Sequence, residues 1–222
     1  MKLVDWKHIV DLGGYTSSPE FARAEDDIRA AVAAVKWPVG SGKFTIFPES
    51  GKKRGEGNGV KPIKTGFTEA LVKRNWELEK SFKKKVAKKV ANVLPPAVTV
   101  AAGSTPGAFD CHLTFPNSST DPFVVEWETG NISSSHRAIN RIGLGMKKKY
   151  ISGGVLVVPT KDLATYLTDR IGNSAELLPY HELWEEWKFS EFGYFAIVTV
   201  EHDDTSSSVP RIPKGTDGRA AN

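Results

Sequence analysis

Residues 121–146 read DPFVVEWETGNISSSHRAINRIGLGM, and within that stretch the pattern turns from that of a strand into that of a helix. Phe123, Val124 and Val125 form an apolar run that ends in Glu126-Trp127-Glu128. Thr129-Gly130 breaks the strand pattern, and Asn131 followed by three serines opens a helical one. Side chains two apart on a strand point to the same side, so Glu126 and Glu128 should converge at the exit of a buried strand. Two carboxylates that close repel each other unless a cation lies between them. A hard divalent ion suits the pair, because Mg²⁺ takes one or two carboxylates together with waters and phosphate oxygens. A solvated edge strand with outward-facing acids would carry the same residues. Asp110 stands sixteen residues before Glu126, on a preceding strand at hairpin distance. Three carboxylates on two adjacent strands would hold one or two divalent ions, able to generate hydroxide and to stabilise charge building on a phosphodiester. Glu128 in such a set could orient or deprotonate the nucleophile.

The rest of the chain predicts an α/β fold. Ser18-Pro19-Glu20 starts a helix, with Phe21, Ile28, Val32 and Val35 as its apolar stripe and an end before Trp37-Pro38. Residues 43–47 alternate as a short strand. A helix over 64–76 carries Phe67, Leu71 and Trp76, and a lysine-rich helix over 81–93 ends at Pro95-Pro96. Strands are expected at 98–101 and 109–113, then a buried one at 154–158 closed by Pro159, and a last one at 194–200. A helix should cover 133–149, Thr160 caps another reaching about Leu167, and 173–187 is mostly helical. These elements assemble into a central mixed sheet with helices on both faces, in one domain over 1–222. In the 133–149 helix, Ile139, Ile142 and Met146 with Gly143 and Gly145 make a stripe that needs an apolar partner, either a second copy of the chain or its own sheet.

Composition excludes several classes. With 222 residues and 40% hydrophobic content the chain can bury a real core, yet no apolar run approaches the roughly 20 residues that cross a bilayer. The start, Met1-Lys2-Leu3-Val4-Asp5, is not that of a signal peptide, and a cytoplasmic location is expected. One cysteine, Cys111, excludes an internal disulfide and a cysteine-based zinc cluster, and it reads as a buried strand residue rather than a nucleophile. None of the five histidines has paired metal-ligand spacing. Formal charge is +4, but residues 60–94 hold ten basic residues against three acidic ones. That excess could steer a polyanion or simply solubilise a helix face. Gly55-Glu-Gly-Asn-Gly59 lacks the order and spacing of a phosphate-binding loop.

Glu126-Trp-Glu-Thr-Gly-Asn-Ile-Ser-Ser134, with His136-Arg137 and Asn140, closely resembles the core of the BamHI family of restriction endonucleases. Asn58-Gly-Val-Lys-Pro-Ile-Lys64, Tyr166-Leu-Thr-Asp-Arg170, Glu176-Leu-Leu-Pro-Tyr180 and Ile212-Pro-Lys-Gly-Thr-Asp-Gly218 recur in the same order. The likeness covers nearly everything from residue 37 to 218. It is loose over 1–36, and the 82–106 segment is longer than the family pattern.

The resemblance implies a type II endonuclease with a restriction-endonuclease-like PD-(D/E)xK core. Such an enzyme is a homodimer acting in a prokaryotic cytoplasm on palindromic double-stranded DNA, requires Mg²⁺, and cuts GGATCC after the first G to leave four-base 5′ overhangs. Mn²⁺ should substitute, and Ca²⁺ should support binding without cleavage. By the same likeness Asp110 and Glu126 are metal ligands, Glu128 is the general base, Glu79 is a fourth active-site acid and metal ligand, and Lys64 lies near them. Asn131 and Ser133 would face the major groove from a helix N-terminus, with Arg137 on the backbone or a nearby base. Asp169 and Arg170 would read G·C pairs. Asp217 and Gly218, in a C-terminal DNA-contacting tail over 202–222, would add further base contacts. Taken alone, Thr168-Asp169-Arg170 is also an ordinary helix end, and Gly215–Gly218 a turn. A structure-specific repair nuclease of the same superfamily or a non-cleaving DNA-binding protein are the rival readings; three acids beside DNA would gain a mere binder nothing.

Overall fold

The computed structural model describes residues 1–50, 57–78, 107–168 and 170–214. In chain order these form β1 (Lys2–Leu12), α1 (Pro19–Ala34), β2 (Thr45–Ile46), α2 (Lys61–Val72), β3 (Glu77–Leu78), β4 (Cys111–Leu113) and β5 (Phe123–Trp127). Then follow α3 (Ile132–Lys147), β6 (Gly153–Pro159), α4 (Lys161–Tyr166), α5 (Ser174–Leu177), a 3₁₀ turn (Leu178–Tyr180), α6 (His181–Glu185), β7 (Gly193–Glu201) and β8 (Asp204–Thr205). Six strands make one sheet in the order β1-β7-β6-β5-β4-β3. Its centre, β5-β6-β7, is parallel, while β1, β4 and β3 add antiparallel edges, so the sheet is mixed as expected. Strands β2 and β8 pair separately in parallel. No helix among the described residues is long and apolar enough to cross a membrane.

Local chemistry accounts for most of these elements. Strand β6 is buried along its whole length, as a continuous apolar run must be when helices cover both faces of a parallel sheet. Alternate residues then divide between two cores. Val125, Val155, Val157, Ala196 and Val198 pack with α1 and α2, whereas Val124, Leu156, Val158, Phe195 and Ile197 pack with α3. By that period-two rule Glu126 shares the α3 face with Val124. Three helices are capped as their sequence predicts, whereas α2, with Val60 at its N-cap position, has no side-chain cap. Ser18 Oγ accepts from the Phe21 N–H with Pro19 at the first turn, Asn131 Oδ1 from the Ser134 N–H, and Thr160 Oγ1 from the Leu163 N–H.

Three departures have physical reasons. Strand β1 has no clear sequence signature, because register shifts between Leu3 and Asp5 and between His8 and Val10 break the period-two pattern; Trp6, Ile9 and Val10 are its buried residues. Helix α2 begins at Lys61 and stops at Val72 rather than running to Trp76. Asn75 turns the chain at φ 67, which seats the Trp76 indole against the buried Asp27 carboxylate at 3.0 Å. The third is a correction to the α3 stripe as a dimer face. Ile139, Ile142 and Met146 are buried in the chain's own core, Gly143 lies under Trp187 and Gly145 under Ile151. A Cβ at position 143 would lie 2.6 Å from the Trp187 ring, so the glycine allows the helix and that indole to approach. The expected helix over 81–93 and strand at 98–101 fall outside the described residues.

Because Ile142 is sealed between α3 and the sheet, Ile142→Ala should cost about 2–5 kcal/mol of unfolding free energy, measured by urea denaturation; a loss under about 0.5 kcal/mol, the range of neutral surface changes, would contradict its core placement.

Candidate active site

Antiparallel pairing of β4 with β5 places Cys111 opposite Val125, and so brings Asp110 level with Glu126. The Asp110 N–H donates to Glu126 Oε2 at 3.3 Å, and the Trp127 N–H donates to Asp110 Oδ2 at 2.9 Å. From α2, Lys64 Nζ reaches Asp110 Oδ1 at 2.8 Å. Asp110, Glu126 and Lys64 thus meet at the end of β5. Glu126 is only 4% exposed on an internal strand, so the solvated-edge alternative does not hold. Burial pushes its carboxyl up to about 8, with the Asp110 charge adding to the effect and Arg141 and Lys64 opposing it. Burial would lower the Lys64 ammonium, but the attraction of Asp110, helped by Glu126 and Glu128, outweighs it and raises the pKa. Burial pushes the neighbouring Cys111 thiol up to about 12, which fits a strand residue and not a nucleophile.

Arg141 is the residue that sequence reading missed. From α3 its Nη1 lies 2.5 Å from Glu126 Oε1 and also donates to the Ala108 carbonyl, while the guanidinium lies 5.9 Å from the centre of the Phe109 ring. It therefore ties Glu126 to the segment that delivers Asp110. The only signal in the sequence is a cation set between Ile139 and Ile142 on a helix that crosses back over the strand.

Glu128 behaves differently. It lies just past the end of β5, and its Oε1 accepts from the Gly130 N–H at 2.7 Å. A Cβ at residue 130 would sit 2.7 Å from that oxygen, so the carboxylate lies directly over the glycine. Burial raises the Glu128 carboxyl above its ordinary value; the Gly130 N–H, Lys64 and Arg137 resist and Asp110 adds to the rise. The turn amide captures this carboxylate, and the expected three-carboxylate cluster resolves into the pair Asp110–Glu126 with Glu128 beside it. Among the described residues no three of His, Cys, Asp and Glu form a group able to hold a metal ion. Glu79, expected as a further ligand, lies outside the described residues, directly after β3 in the sequence. Two carboxylates with all-oxygen chemistry still fit a hard divalent ion that draws its remaining ligands from water and phosphate.

Asn131, Ser133 and Arg137 are exposed at the N-terminal end of α3. The cap uses the Asn131 side-chain Oδ1, and the residue stays exposed. Arg170, exposed with φ 66, belongs to a loop held against the same place: the Gly172 N–H donates to the Gly130 carbonyl at 2.9 Å. Two of the expected reading segments therefore share the sheet end with the acids. Asp169, Asp217 and Gly218 lie outside the described residues.

The sequence model of the family described as "Restriction endonuclease BamHI" matches residues 1–219, which takes in the N-terminal strand and helix. The chain is 40% identical over 204 residues to the type II restriction enzyme OkrAI of Oceanobacter kriegii, covering 92% of each chain. It is 35% identical over 198 residues to the type II restriction enzyme BamHI of Bacillus amyloliquefaciens, covering 88% of this chain and 82% of that one. Among solved structures, that of the restriction endonuclease BglII complexed with a DNA 16-mer aligns with a TM-score of 0.42 at 11% identity, over 63% of this chain and 55% of that one.

The raised Glu126 carboxyl makes a pH prediction. Between about 4.5 and about 8 the folded chain holds a proton that the unfolded chain has lost, so stability falls as pH rises across that window. In a chelating buffer without divalent ions, Glu126→Gln should flatten this fall when urea denaturation is compared at pH 5 and pH 8; an unchanged slope would mean that another group sets it.

Proposed function

The chain belongs to the BamHI family of type II restriction endonucleases, and on that premise we propose that it hydrolyses double-stranded DNA at the palindrome GGATCC, cutting after the first G with Mg²⁺ as cofactor. The observation that carries the reading is the Asp110–Glu126 pair, bonded to Lys64 and lying beside the exposed N-terminus of α3. Asp110 and Glu126 would hold the metal ion, with Glu79 as a further ligand. When bound, the ion supplies Lewis-acid stabilisation of the charge on the scissile phosphate and eases the deprotonation of water.

The chain's own residues do the rest. Glu128, whose carboxyl burial raises above its ordinary value, accepts the proton of the attacking water. The water oxygen bonds to phosphorus as the bond to the 3′ oxygen breaks, and that oxygen takes a proton from solvent water, leaving a 3′ hydroxyl and a 5′ phosphate. Lys64 keeps its charge and offsets the excess of negative charge around Asp110. Asn131 and Ser133 read base edges from the helix end, Arg137 meets the backbone or a nearby base, and Arg170 with Asp169 reads G·C. Asp217 and Gly218 add contacts from the tail. Such an enzyme works in a prokaryotic cytoplasm, where the DNA it meets lies.

A palindromic site calls for a two-fold dimer. The surface that suits it lies outward from the buried α3 stripe, where Leu144, Leu178, Tyr180 and Leu183 are 41–62% exposed on neighbouring elements. Tyr180 packs edge-on against His136 of α3, which makes these elements one surface.

Incubation with a plasmid bearing one GGATCC should linearise it in Mg²⁺ and leave a plasmid without the site intact. Uncut site-bearing plasmid contradicts the activity, and cutting of the control contradicts the sequence assignment. Glu126→Ala should abolish cleavage while specific binding in Ca²⁺ persists. For the dimer, Leu183→Arg should yield monomers by sedimentation equilibrium and depress cleavage; a dimer of undiminished affinity would place the interface elsewhere.

A further inference from the structure

Asn58 is fully buried, and every polar group of its side chain is engaged. Nδ2 donates to the Phe47 and Tyr166 carbonyls, each at 2.8 Å, and Oδ1 accepts from the Ile212 N–H at 3.1 Å. Its backbone N–H also donates to the Tyr166 carbonyl, and the Gly59 N–H to the Ile212 carbonyl, both at 2.8 Å. A Cβ at Gly59 would fall 2.0 Å from the Pro213 carbonyl oxygen, so the C-terminal segment rests directly on this backbone. The segment is fastened at two more points: Trp37 Nε1 donates to the Pro210 carbonyl at 2.8 Å, and Arg211 pairs with Glu49.

What Asn58 joins is more telling than how well it is satisfied. Tyr166 stands four residues before Arg170, Ile212 leads into the tail that holds Asp217 and Gly218, and Lys61 three residues on begins α2 with Lys64. A buried amide bonded to three separate segments fixes their relative register, because losing any one leaves a buried polar group unpaired. Apolar packing at the same point would hold the segments together without setting that register.

We infer that Asn58 is a positioning residue for specificity, locking the Arg170 segment and the C-terminal tail to the helix that carries Lys64, so that reading and cutting stay in one frame. It touches neither DNA nor metal and acts only through those segments. The inference rests on the DNA-cleaving reading above.

The test compares kcat/KM on a GGATCC duplex with kcat/KM on duplexes carrying one substituted base pair, for the full-length wild type and Asn58→Ala. The ratio should fall by about tenfold or more, as small displacements of binding groups cost that much. Trypsin should also cut after Arg211 and Lys214 faster than in the wild type. Val32→Ala, a core change in α1, serves as the control for general loosening and should leave the ratio unchanged. An unaltered ratio in Asn58→Ala overturns the inference, as does an equal fall in Val32→Ala. If Asn58→Ala does not fold, Gly59→Ala carries the same test, since its methyl displaces the tail while Asn58 remains, and an unaltered ratio there overturns it too. A wild type that cuts no duplex in Mg²⁺ defeats the functional reading instead, whereas a specific wild type with an unaltered Asn58→Ala defeats only the inference.

Discussion

One residue, Asp110, is bonded at once to a strand backbone, a lysine on a helix and a second carboxylate, and the site is built outward from it. Its Oδ2 accepts from the Trp127 N–H, its Oδ1 from Lys64, and its own N–H meets Glu126. Only the antiparallel pairing of β4 with β5 makes this possible, since a shift by one residue would turn the acid to the other face of the sheet. Trp127, whose N–H anchors Asp110, packs its ring against Phe67 of α2 at 4.6 Å. The same contact therefore seats the helix that brings Lys64. Core packing and site geometry are one arrangement here.

That arrangement is held against an electrostatic cost. A carboxylate 4% exposed beside another acid raises its own pKa, and Arg141 and Lys64 only partly compensate. Stability given up to keep charges in place is common at functional sites. A divalent ion would relieve the same repulsion, so the strain and the proposed cofactor have one origin. Helix α3 meets three demands at once. Its inner stripe closes the core, its N-terminus presents Asn131 and Ser133, and Arg141 reaches back to Glu126. Any movement of α3 would be felt at all three.

Much of this was legible from residue types. Apolar runs located β5, β6 and β7, and capping residues located the starts of α1, α3 and α4, because these depend on near neighbours in sequence. The spacing of Asp110 and Glu126 was legible for the same reason: a hairpin carries its own register. The match of ordered motifs to the BamHI family named a function that period and composition could not. Strand β1 escaped notice because its register shifts erase the alternation that marks a strand.

What the sequence determined by itself was which segments are apolar, where helices begin and which acids a hairpin brings level; each follows from chemistry within a few residues. Only the tertiary structure decided what each surface meets. The Ile139–Met146 stripe was visibly apolar, but periodicity cannot tell a neighbouring sheet from a second subunit. Glu128 was two residues from Glu126 on the same side, yet it lies past the end of the strand, where the turn N–H at Gly130 holds its carboxylate. Arg141 and Asn58 gave no local sign of their parts, because their partners lie 11 to 154 residues away in the chain. Contacts over such distances are set by how whole elements pack, and no short stretch of sequence contains them.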